Sequence, residues 1–63
     1  MAGRKHTLEF YDMVVETEKA HLVSFGAEEV WIPKSISEVD INYNSVVLPE
    51  WFIIENELEG FIV

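Results

Sequence analysis

The sequence predicts a mainly β, α+β fold: a small twisted antiparallel sheet or partly open barrel of about four to five strands, with one short C-terminal helix. Three observations carry this reading. Short runs rich in β-branched and aromatic residues are separated by glycine, asparagine and serine, the punctuation of strands and turns. Within these runs apolar and polar residues tend to alternate, as they do when a strand has one buried face. After Pro49 the apolar spacing lengthens to three and four, the period of a helix. At 63 residues the chain forms one domain, residues 1–63.

The first element falls in residues 7–16. Leu8 and Phe10 share one parity, whereas Tyr11, Met13 and Val15 share the other, so a strand here must bend or bulge near Tyr11 and Asp12. A short helix is the alternative reading. Residues 19–25, KAHLVSF, form a second strand; GAEE supplies a glycine turn; and EVWIPKS returns as its hairpin partner. Pro33 lacks the amide a ladder needs, which ends that strand or places it at an edge or bulge. Lys34 then emerges at the periphery, where a charge discourages edge pairing or meets a partner.

Over residues 37–44 the alternation is clean, with Val39, Ile41 and Tyr43 on one face and Asp40, Asn42 and Asn44 on the other. This predicts a half-exposed strand, with NYNS as the turn before the apolar run at Val46. Pro49 suits the first position of a helix, Glu50 complements its dipole, and Trp51, Ile54 and Leu58 fall on one face. Leu48 is a poor N-cap. Gly60 can end the helix, and FIV can add a terminal strand. Both tryptophans are expected in the core or at its rim.

Composition limits function. Half of the residues are apolar and eight are aromatic, too many for a disordered tail. A chain this short buries only about 60% of its unfolded surface, so stability must come from tight packing or from a partner. There is no cysteine, which excludes disulfides and thiolate zinc sites and fits a reducing cytoplasm. Residues 1–6, MAGRKH, are basic but are followed by an acidic, aromatic segment without the apolar run of a signal peptide, and no apolar stretch approaches the length of a membrane span. A soluble cytoplasmic protein is expected. The formal net charge is −8, which repels phosphate backbones and attracts basic surfaces.

Catalysis is not expected. His6 lies near the terminus and His21 stands alone within a strand; neither has the spacing of a metal site or a base. The serines have no evident base, no glycine-rich phosphate loop occurs, and the many carboxylates lack the glycine and asparagine pattern of a calcium loop. No metal or other cofactor is implied. So short a chain also has difficulty enclosing a water-excluding site.

The runs AHLVSFGAEEVWIPKS (residues 20–35) and VVLPEWF (residues 46–52) together resemble a set of small proteins and domains common in bacteriophages and other mobile elements. Their pattern is an Ala-x-Leu-Val strand, a turn, a Val-Trp-Ile-Pro-Lys-Ser strand end and a later Pro-Glu-Trp helix start. The resemblance covers about two thirds of the chain and implies a small β-rich fold with a C-terminal helix, without an established biochemical role. Many such relatives carry glycine where this chain has Glu57.

Three functions compete. The first is a non-enzymatic, phage-encoded protein-binding module that covers a basic surface of a host protein, for example as an inhibitor of a nucleic-acid-targeting defence nuclease. Carboxylates such as Glu28, Glu29, Glu38 and Asp40 would steer association, Trp31 and Trp51 would anchor it, and Lys34 would contact the partner at the strand end. The second is a small-barrel nucleic-acid accessory domain stacking bases on Tyr11, Trp31 or Tyr43, which the net charge opposes. The third is a self-assembling protein; a homodimer is compatible with the first reading.

Overall fold

The computed structural model describes residues 3–63, and Met1 and Ala2 of the basic N-terminal run lie outside the described residues. The chain is mainly β, as expected, but six strands are present among the described residues, not four to five. They form two three-stranded antiparallel sheets and no closed barrel. The first sheet has the order β1 (Lys5–Glu9), β6 (Ser45–Pro49), β5 (Glu38–Asp40); the second has the order β2 (Asp12–Glu16), β3 (Ala20–Ser24), β4 (Glu29–Pro33). A six-residue helix, α1 (Glu50–Glu55), follows β6 directly.

The bend expected near Tyr11 is where the chain passes from one sheet to the other. The Phe10 amide donates to the Asn44 carbonyl at 2.8 Å, the last bond toward the first sheet, and the Tyr11 amide donates to the Ser24 carbonyl at 2.7 Å, the first toward the second. Phe10 accordingly points into the core while the next side chain, Tyr11, is exposed. Residues 7–16 are thus strand and not helix. A bulge follows between Met13 and Val15, so that Val15 pairs with Leu22 on the outward face. An inserted residue switches the parity of everything after it, which explains why Val15 is exposed despite its pattern.

The expected β3–β4 hairpin forms, with Ala20 opposite Pro33 and Ser24 opposite Glu29. Gly26 at φ 102° makes its turn, a conformation that L side chains rarely adopt. Pro33 ends β4, an edge strand of its sheet, and hands the chain to a 3-10 turn at Lys34–Ile36.

The strand expected over residues 37–44 is shorter. Only Glu38–Asp40 is extended; residues 41–44 are turn, and Ile41 and Tyr43 are exposed. The Asp40 carboxylate accepts a bond from the Asn42 amide at 3.0 Å and Asn44 sits at φ 50°. Asp and Asn at alternate positions thus act as turn formers, and the alternation they create imitates that of a strand.

The helix also differs. Pro49 is the N-cap, one position earlier than expected, and extended at ψ 149°. The buried helical residues are Phe52 and Ile53, while Trp51 and Ile54 are exposed. Four consecutive apolar residues, Trp51 to Ile54, occupy the whole circumference at about 100° each, so spacing alone cannot choose a face. Leu58 is buried, but beyond the helix end.

That end is not made by Gly60, which lies in a 3-10 turn at Glu59–Phe61. The Leu58 amide donates to the Ile53 carbonyl at 2.8 Å and the Glu57 amide to the Ile54 carbonyl at 3.2 Å, with Glu57 left-handed at φ 57°. This is a Schellman motif, including the buried Leu58 and Ile53 pair that accompanies it. It normally uses glycine at the left-handed position. A left-handed L-residue costs about 1–2 kcal/mol, partly offset by the larger unfolded-state entropy of glycine. Glu57→Gly is expected to stabilise the domain by about 0.5–1 kcal/mol, seen as a melting point several degrees higher. An unchanged or lower melting point would argue against this strain.

The terminal FIV adds a single bridge in place of a strand: Ile62 pairs with Leu8, and the Val63 amide donates to the Thr7 carbonyl at 2.9 Å. It thereby covers the outer edge of β1. The core lies between the sheets and α1, built from Leu8, Phe10, Val46 and Leu48 of the first sheet and its bend, Val23 and Ile32 of the second, and Phe52, Ile53 and Leu58. Phe25 closes one end against Phe61, with ring centroids 5.0 Å apart.

Candidate protein-binding face

Strand β6 turns Val46 and Leu48 inward, so Ser45 and Val47 face outward, while Pro49 at its end shares their parity but is buried. The register places Thr7, Val47 and Glu38 in one row across the sheet and Glu9, Ser45 and Asp40 in the next. Glu38 and Asp40 therefore project from the same face of β5, about 7 Å apart along the strand, with Glu9 across from them on the far side of Ser45. Both β5 carboxylates are exposed.

This face is concave. A hollow of about 330 Å³ lies between Pro49, Trp51, Ile36, Lys5, Val47 and Glu38. A second, wider hollow of about 780 Å³ is lined by Glu38, Asp40, Ile41, Thr7, Ser45 and Val47. Glu38 and Val47 belong to both, so the two form one groove along β6. Trp51, 56% exposed, stands at one end with its ring edge-on to buried Phe52, centroids 5.7 Å apart and planes at 77°. An exposed indole is thus held edge-on against a buried ring.

The expected contact residues separate into groups. Trp51, Glu38 and Asp40 share the groove. Trp31 is half exposed on the opposite sheet, in the outward row Val15, Leu22, Trp31, and Glu29 lies on that same face of β4. Glu28 is in the β3–β4 turn, where its carbonyl accepts the Phe25 amide at 2.8 Å. Neither tryptophan is in the core. The sequence reading missed Val47, Ile36 and Lys5; the alternation of β6 marks Val47, but nothing local brings Ile36 and Lys5 beside it.

Lys34 is engaged within the chain. Its ammonium donates to the Glu16 carboxylate at 2.7 Å, spanning the end of β3. This bond, and the charge behind it, hold the Glu16 carboxyl below its ordinary value of 4.5. A depressed folded-state pKa stabilises the fold above the unfolded value, and that contribution is lost as pH falls through the folded value. Lys34→Met should therefore lower the urea midpoint at neutral pH and in low salt, with the gap from the parent closing in acid and in high salt. A gap independent of pH would assign the effect to packing of the lysine stem.

His6 lies in β1 opposite Leu48, with Nε2 3.5 Å from the Glu50 carboxylate. His21 is half-buried in the central strand β3, between Glu16 and Ile32, and its Nδ1 has no hydrogen-bond partner among the described residues. No group of three or more His, Cys, Asp or Glu side chains among the described residues converges as metal ligands, and no helix there is long and apolar enough to cross a membrane.

Comparison with protein-family models, with curated proteins and with solved structures found no match. The functional reading therefore rests on the residues themselves.

Proposed function

We propose that the chain is a small acidic, non-enzymatic module that covers a basic surface of a protein partner. The observation that carries this reading is the placement of Glu38, Asp40 and the oriented indole of Trp51 along one exposed groove. Carboxylates on such a face raise the encounter rate with a basic surface, and a half-exposed tryptophan supplies the desolvated contact that holds the complex. The resemblance to small phage and mobile-element proteins makes a cytoplasmic host protein the natural partner, such as a defence nuclease whose nucleic-acid channel is basic.

The nucleic-acid reading is weaker. Tyr11 and Tyr43 project near the bend between the sheets, but Trp31 lies out on the face of β2–β3–β4, so the three rings do not line one stacking track.

Affinity capture with the tagged chain from a host lysate, beside thermal melting, tests the proposal. Trp51→Ala is expected to lose the captured basic partner while melting within a few degrees of the parent, because its ring is more than half exposed. Trp31→Ala should retain the partner. Loss of capture by Trp31→Ala alone would move the binding face to the other sheet, and retention at high salt would remove the electrostatic argument.

A further inference from the structure

The groove has a polarity that narrows what it can hold, an inference that rests on the binding function proposed above. At the Trp51 end Lys5 is the lining cation, beside the hydroxyls of Ser35 and Ser37 and the apolar surfaces of Pro49, Ile36 and the indole. At the other end Glu38 and Asp40 have no lining cation opposite them, and the hydroxyls of Thr7 and Ser45 with the side chains of Val47 and Ile41 complete the wall. Among the described residues Lys34 pairs with Glu16 and His6 lies 3.5 Å from Glu50, and neither groove carboxylate forms a salt bridge. From Pro49 to Ser45 the floor runs about 14 Å, the length of four residues of extended chain.

We propose that this groove receives an extended peptide segment of the partner in which an apolar side chain and an arginine are two residues apart. In an extended chain residues i and i+2 point the same way, about 7 Å apart. An apolar side chain seated between Pro49 and Trp51 therefore places the arginine level with Val47. Its stem lies along Val47 and Ile41, and its guanidinium reaches Glu38 opposite and Asp40 one repeat further on. The planar five-donor head can serve two carboxylates at once. Charge selects arginine for the Asp40 end, and Lys5 selects against a second cation at the Trp51 end.

The test uses the full chain, labelled with nitrogen-15, titrated in low salt with millimolar acetylated and amidated Gly-Leu-Ser-Arg-Gly. Amide shifts are expected at Glu38, Asp40 and Val47 and at the Trp51 indole N–H, with the Trp31 indole unmoved. Replacing the peptide arginine by glutamate should abolish the shifts, and replacing its leucine by serine should remove those at Trp51. The variant Glu38→Gln/Asp40→Asn should weaken binding on the order of tenfold or more, from the loss of two charge-assisted contacts. The side-chain oxygen that Asp40→Asn retains can still accept the Asn42 amide, so the turn is kept. Equal shifts with the glutamate peptide, or shifts centred on Val15, Leu22 and Trp31, would overturn the assignment. If the arginine peptide instead moves Glu28 and Glu29, the groove is wrong but the acidic-surface reading stands; if no resonance moves in low salt, both fail.

Discussion

The variant Glu38→Lys/Asp40→Asn is expected to slow association with the basic partner by roughly ten- to a thousandfold in low salt, the range in which electrostatic steering operates. The net charge falls in magnitude only from −8 to −5, since one carboxylate is reversed and one neutralised. Both side chains are exposed, and asparagine preserves the oxygen that holds the turn, so circular dichroism and melting should be nearly unchanged. The decisive control is Glu28→Lys/Glu29→Gln, which reaches the same −5 by altering the far hairpin. If net charge alone attracts the partner, the two variants slow association equally. If the β1–β6–β5 face is the docking surface, the groove variant is the slower in association and the faster in dissociation, because its charges also contact the bound partner. Raising the salt should bring the parent's association rate down toward that of the groove variant while leaving the dissociation difference in place.

How far this face was legible in the sequence follows from which interactions are local. The β3–β4 hairpin was readable because Gly26 and Pro33 fix its turn and its end by their own backbone chemistry. The change of sheet at Phe10 and Tyr11 left a parity break, visible as a bend, but its meaning depends on Asn44 and Ser24, which lie far along the chain. Glu38 and Asp40 could be placed on one strand face from their spacing. That Trp51 joins them could not be read, because α1 is too short for periodicity to select its buried side. The approach of the helix from Pro49 decides that Phe52 and Ile53 turn inward. Trp31 and Trp51 look equivalent beside their prolines, yet one lies in β4 of the second sheet and the other in α1 beside the first. Lys34, readable as a free edge charge, is bonded to Glu16, a pairing over 18 residues that no local pattern announces.

Leu48→Ala is expected to remove a large share of the domain's stability. Leu48 is fully buried in the central strand of the first sheet, in the core cluster shared with α1. Truncating such a side chain costs about 2–5 kcal/mol, because the cavity collapses only in part. At about 0.05–0.15 kcal/mol per residue, a domain of this length holds only about 3–9 kcal/mol in all. The neighbouring outward position on the same strand provides the comparison: Val47→Ala removes a half-buried groove side chain and should cost about 1 kcal/mol or less. Urea titrations of the two variants check the assignment, and equal losses would mean that β6 does not separate a core face from a groove face. The same pair distinguishes two routes to lost binding. Leu48→Ala loses the partner together with its fold, whereas Val47→Ala loses affinity at a melting point near that of the parent, as a residue on the floor of the groove must.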